Sequence, residues 1–127
     1  MEHPILNQAK LSLELCEKEI TIKSNETKAK ELNLKITKTQ SCDIFVTGSV
    51  ITYCSIIKNE SDILLHHVKW SDLLDERLEY VVGTFKVNGV THNPTITTIG
   101  NRKELSWILN PIHPNSTITI CFDVKVK

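Results

Sequence analysis

Apolar residues recur at every second position through most of this chain, and that period decides its fold class. In residues 5–27, ILNQAKLSLELCEKEITIKSNET, Ala9, Leu11, Leu13 and Leu15 alternate with polar residues, and Ile20 and Ile22 alternate again after a charged turn. A period of two sends successive side chains to opposite faces of a strand. The segment therefore reads as a β-hairpin with one apolar face and one wet face. What covers that apolar face is the first question the sequence raises.

The alternation returns along the rest of the chain. LNLKITKT places Leu32, Leu34 and Ile36 on one side, and GSVITYCSIIKN places Ile51, Tyr53 and Ile57 opposite Thr52, Cys54 and Ile56. STITICFDVKVK closes the chain with Ile118, Ile120, Phe122, Val124 and Val126 in strict alternation. Between them, ILLHHVKW, EYVVGTFKVNGV and NPTITTIGNRKELSWILNP supply further short strands, punctuated by a bend at Gly83 and turns at Asn88-Gly89 and Gly100-Asn101. SDLLDER admits one short helical turn capped by Ser71 or Asp72. Short strands at turn-punctuated spacing, without a helical period, define an all-β chain. The expected architecture is a two-sheet immunoglobulin-like β-sandwich, with a jelly-roll-like variant as the alternative. Residues 1–31 are expected to form a hairpin arm and linker, the linker being the charged ETKAKE, and residues 32–127 the sandwich body. Trp70, Tyr80, Phe85 and Trp107 are expected in the core, where large aromatics dominate.

Composition narrows the function. The chain has 127 residues, enough for one domain with its own core. Its 15 basic and 15 acidic residues balance without a run of either sign, which disfavours a nucleic-acid footprint. No apolar run approaches the ~20 residues of a membrane span. The start, MEHPILNQAK, lacks the basic and apolar regions of a secretory signal, so assembly or release without a signal peptide is expected. His66 and His67 are adjacent and face opposite sides of a strand, which disfavours a shared metal. Asp72, Asp75 and Glu76 could coordinate a cation, but a solvated turn accounts for them better. With four glycines and no nucleophile or phosphate-loop motif, neither catalysis nor a cofactor is implied. Sequons stand at Asn25, Asn59 and Asn115, and matter only on a eukaryotic secretory route.

Taken as a set, residues 32–127 resemble the conserved-repeat domain of bacterial cell-surface proteins, known as domain of unknown function eleven. The marks are Lys38-Thr39 after the first strand, Gly48 opening the second, Thr52-Tyr53 within it and Asn59 closing it. Asp72 stands where the family has an Asp before a Leu-Pro turn, here without the proline, and GTFKVNGV follows. In LNPIHPNS, Asn115 replaces the family's glycine, and Asn tolerates positive φ better than most residues. The resemblance implies an immunoglobulin-type sandwich acting as a stalk, spacer or adhesive module, and carries over no catalytic residue.

In tandem members of that family, segments like ILNQAKLSLEL and TIKSNET follow the last strand, whereas here they precede the body. The closing hairpin is thus out of phase with the repeat. It either folds back on its own body or completes the sandwich of a neighbouring copy by strand donation, with Ala9, Leu11, Leu13, Leu15, Ile20 and Ile22 as the assembly face. Donation is the favoured reading, and a head-to-tail interface that does not close gives a filament. The expected protein is a non-enzymatic, self-assembling subunit of a bacterial surface or spore-surface fibre, with an anchoring protein as a second possible partner. A monomeric adhesion module is the alternative.

Four cysteines, Cys16, Cys42, Cys54 and Cys121, are candidates for disulfides. No CxxC pair occurs. Cys54 and Cys121 alternate with apolar positions and are expected to point outward, on separate sheets, and so to suit bonds between subunits rather than with each other. Cys121 is the first partner considered for Cys16, with Cys42 and Cys54 as alternatives.

Overall fold

The computed structural model describes residues 4–127. It is all β, with strands β1 (Ile5–Leu15), β2 (Lys18–Ala29), β3 (Leu34–Gln40), β4 (Val50–Asn59), β5 (Val68–Leu73), β6 (Leu78–Tyr80), β7 (Lys86–Val87), β8 (Val90–Thr91), β9 (Thr95–Ile99), β10 (Arg102–Leu109) and β11 (Ser116–Val126). The chain divides into two compact units, one ending at Leu32 and the other running Asn33–Lys127.

The first unit is the antiparallel pair β1–β2, in which Leu11 lies opposite Ile22 and Leu13 opposite Ile20. Its turn is Cys16-Glu17, with φ of 51° and 60°. Two positive φ values match the right-handed twist of a two-residue hairpin, although neither residue is the glycine or asparagine that such a turn favours. Further along, Ser24 and Asn25 together oppose Ala9, a β-bulge. The bulge is pinned by Ala9 N donating to Ser24 Oγ at 2.9 Å and Gln8 Nε2 donating to Ser24 O at 2.9 Å. It inverts the parity of β2, so Thr27 and Ala29, opposite Asn7 and Ile5, share the face of Leu11 in place of Glu26 and Lys28. The ETKAKE stretch is correspondingly not all linker. Its first four residues continue β2, because residues 5–8 offer them a ladder partner that local charge does not reveal.

The second unit is a β-sandwich. One sheet has the order β3-β4-β11-β7-β8, with β6 also on β11, and the other the order β5-β10-β9. β11 is the hub: it pairs with β4 from Ser116 opposite Asn59 to Lys125 opposite Val50, and with β6 and β7 on its other edge. The consecutive strands β4 and β5 pair with β11 and β10 respectively, in opposite sheets. In the immunoglobulin order the partner of the earlier strand comes first. Here it comes last, so of the two sandwich forms expected the strand order is the jelly-roll-like one.

The alternation resolves into a core of Ile51, Ile57, Trp70, Leu105, Leu109, Ile112, Ile120, Phe122, Val124 and their neighbours. Phe122 centres an aromatic cluster, with ring centroids 5.9 Å from Trp70, 6.0 Å from Tyr53 and 6.5 Å from both Tyr80 and Phe85. Trp107 packs on Phe85 at 5.8 Å. The four aromatics assigned to the core from sequence are thus in it or against it.

Two of the crossings between the sheets, β4 to β5 and β10 to β11, run side by side, where Leu65 and Ile112 exchange backbone hydrogen bonds of 3.0 and 2.8 Å. Buried Asn59 ties them together. Its Nδ2 donates to Ile63 O at 2.8 Å and His113 O at 3.2 Å, while its Oδ1 accepts from the backbone N and the hydroxyl of Ser61. Its amide is thus fully engaged within the folded body. The turn at Asn88-Gly89 has φ of 51° and 80°, and Asn115 takes φ 54°, a left-handed conformation that asparagine tolerates.

SDLLDER does not form a helical turn. Ser71 and Asp72 lie within β5, opposite Ser106 and Leu105 of β10, and strand pairing overrides the capping signal. The chain turns only afterwards, where Leu78 N donates to Asp75 O at 2.9 Å.

Candidate functional site

The apolar face of the hairpin is one candidate surface. A two-stranded sheet has no second layer of its own, and its leucines show it: Leu11 is 68 %, Leu13 42 % and Leu15 58 % exposed, and Ile22 54 %. Ala9 lies at the bulge and is exposed, while Ile20 is half-buried across from Leu13. A lone hairpin is marginally stable in water, and a third strand or an opposing layer is what secures it.

The body carries a surface feature that sequence reasoning missed. Its sheets are unequal, and on one side β3 and β5 are both edge strands. Between them runs a cleft of about 220 Å³ walled by Leu34, Ile36, Ile57, Val68, Trp70 and Leu109, with Lys35 and Lys69 at its rim. Ile36 has the same parity as buried Ile57 yet is 62 % exposed on the outer strand of its sheet. Further along the same two strands, Lys38 Nζ donates to Asp72 Oδ2 at 2.6 Å and lies 4.5 Å from the centroid of the Tyr53 ring. Lys38, Tyr53 and Asp72 were each noticed in the sequence, but nothing in their spacing announces the pair across the sheets.

On the opposite side of the sandwich, the connection from β8 to β9 covers the gap. There the ring of His92 packs on Trp107 with centroids 4.8 Å apart, and His92 N donates to Phe85 O at 2.9 Å. A further apolar feature is the loop with exposed Ile44, Phe45 and Val46, where the Arg77 guanidinium sits 5.7 Å from the Phe45 ring centroid.

The cysteines require a correction. Cys54 and Cys121 stand directly opposite each other on neighbouring strands β4 and β11 of one sheet, with Cα atoms 4.1 Å apart, and form a disulfide. They do not lie on separate sheets, and Cys121 is not open to Cys16. Alternation fixes which face a residue occupies, and here it placed both opposite inward-facing neighbours. Alternation says nothing of which strand lies alongside, and the bond depends on that. Cys16, at the hairpin tip, and half-buried Cys42 carry free thiols. Because the bond joins residues 67 apart in sequence, replacing Cys54 and Cys121 with serine is expected to lower body stability by roughly 2–4 kcal/mol in urea unfolding. The untreated protein should release two thiols per chain to a thiol reagent on denaturation and four after reduction. An unchanged midpoint in the double variant would remove the bond from the stability account.

Of the acidic residues near residue 75, Asp72 and Asp75 are held by separate cations rather than gathered. Asp72 pairs with Lys38, and Asp75 accepts from Arg77 Nε at 3.0 Å, Nη2 at 3.2 Å and backbone N at 2.9 Å. The Arg77 guanidinium, helped by its backbone N–H, holds the Asp75 carboxyl down to about 2. Likewise, the ammonium of Lys35, 3.0 Å away, lowers Glu60. His66 Nδ1 lies 3.2 Å from Asn110 Oδ1, which also accepts from the backbone N of His67 at 3.3 Å. Among the described residues no three His, Cys, Asp or Glu side chains converge as a metal site would need, and no helix is long and apolar enough to cross a membrane.

Comparison with family models, curated proteins and solved structures finds no match for this chain.

Proposed function

We propose that the protein is a non-enzymatic structural subunit that assembles head to tail, each copy donating its N-terminal hairpin to the sandwich of the next. The observation that carries this reading is the exposed row Leu11, Leu13, Leu15 and Ile22 on a hairpin with no second layer of its own. Burying apolar area gains ~25 cal/mol per Å², so a partner that covers this row stabilises the hairpin as well as the junction. The bulge at Ser24 supports the same role, since it lengthens the uncharged face by exchanging Glu26 and Lys28 for Thr27 and Ala29.

The setting proposed is a fibre on a bacterial cell or spore surface, held there by an anchoring protein. The Cys54–Cys121 bond supports it, because structural disulfides persist in oxidising surroundings and are rare in the reducing cytosol. The resemblance of residues 32–127 to the conserved-repeat domain of surface proteins points the same way by its sequence marks alone. The strand order of the body is jelly-roll-like rather than the immunoglobulin one that resemblance implies. With Cys54 and Cys121 joined within one body, any covalent bond between subunits falls to Cys16 or Cys42.

Removal of residues 1–29, through the end of β2, tests the proposal. Negative-stain microscopy should show filaments from the whole protein, and monomers or short oligomers from the truncated one, whose body still unfolds cooperatively. Filaments from the truncated protein, or a whole protein that stays monomeric when concentrated, would contradict it.

A further inference from the structure

We infer that the cleft between β3 and β5 is the acceptor site, and that its occupant is the β1–β2 hairpin of a second copy, added to the open edge of β5. This inference rests on the assembly reading above and names the surface that reading leaves unspecified.

Three observations select the site. The first is layering. β3 is the outer strand of a sheet with more strands than the one it faces, and Ile36 on it is exposed despite its inward parity. Lys38 and Asp72 link β3 to β5 further along. A strand added beside β5 extends the smaller sheet over β3 and covers Ile36 and Leu34, whereas a strand added beside β3 leaves Ile36 in water. On the opposite side of the sandwich the β8–β9 connection runs from one sheet to the other, with His92 packed on Trp107.

The second is size. The apolar row Leu11–Leu15 spans ~14 Å at 3.4 Å per residue, and the six residues of β5 span ~17 Å. Leu11, Leu13 and Leu15, with Ile20 and Ile22 beside them, supply an apolar surface for a cleft walled by six apolar side chains. Main-chain pairing to β5 fixes the register, and the alternate side chains enter the cleft, which is the chemistry of strand addition.

The third is charge. Glu14, Glu17 and Glu19 surround the hairpin tip with Lys18 among them, and the cleft rim carries Lys35 and Lys69. Glu60 already pairs with Lys35 but lies on the same body, so it moderates the basic rim without reversing it. Opposite potentials steer docking and set its orientation, here with the hairpin tip at the Lys35–Lys69 end of the cleft.

The test uses full-length variants that separate giving from receiving. Ile36→Glu places a charge in the cleft at an exposed position, so the body should melt as the unaltered protein does. It can still donate its hairpin but cannot accept one. Leu13→Asp does the reverse. Each alone is expected to need at least ~100-fold more protein to form filaments, from the cost of burying an unpaired charge. Mixed, they should form a discrete heterodimer of twice the 14.4 kDa chain mass in sedimentation. Ile96→Glu, on β9 at the other side of the sandwich, should form filaments normally. Normal filaments from Ile36→Glu, or a mixture of the two variants that stays monomeric, overturn the cleft assignment. Hairpin donation itself is judged separately, by whether removing residues 1–29 abolishes filaments.

Discussion

Leu13→Asp is expected to raise the protein concentration needed for filaments by about 10²–10³-fold. Leu13 lies at the middle of the hairpin's apolar row, directly opposite Ile20. An unpaired carboxylate carried into an apolar junction costs several kcal/mol, and about 3–4 kcal/mol per junction corresponds to that factor. Pelleting across a concentration series measures it. The thermal midpoint of the body should not move, because no residue of the body's core precedes Leu34. Equal amounts of polymer from variant and unaltered protein would mean that Leu13 is not buried on assembly.

Asn59→Ala is expected to have the largest effect on the body, lowering its stability by about 3–5 kcal/mol. The substitution leaves Ile63 O, His113 O and the backbone N of Ser61 without their partner at a buried position. Each orphaned buried group costs about 1–3 kcal/mol, partly offset as the crossings relax. The loss falls where the β4–β5 and β10–β11 crossings meet, so the Leu65–Ile112 bridge should open with it. Urea unfolding checks the magnitude, and hydrogen exchange at the amides of Leu65 and Ile112 checks the place. A loss below 1 kcal/mol would mean that water replaces the amide without penalty.

What the sequence made legible follows from the range over which its signals act. Alternation is a property of a single strand, and it assigned the inward faces of β4 and β11 and the apolar face of the hairpin. Turn chemistry is equally local, and Asn88-Gly89 and Asn115 adopt the positive φ that it required. Pairing is a property of two strands, and here the sequence misled. Alternation gives Cys54 and Cys121 an outward face, but it does not say which strand lies alongside, and the bond between them depends on that. Asp72 looked like a cap because its strand is defined by β10 and its partner by Lys38, both more than 30 residues away. Glu26–Ala29 looked like a linker because the ladder that orders them begins at Ile5. The cleft was the least legible feature, since it lies between edge strands of two different sheets.

Whether the hairpin is given to another copy or kept is decided most directly by isotope-mixed cross-linking. Equal amounts of ¹⁴N- and ¹⁵N-labelled protein are unfolded together, refolded, assembled and treated with an amine cross-linker. The peptides that join Lys10 or Lys18 of the hairpin to Lys35 or Lys69 of the body are then read by mass. Donation predicts that half of those pairs carry one light and one heavy partner, as random exchange between copies requires. Pairs that are wholly light or wholly heavy would place the hairpin on its own body and contradict assembly by strand donation.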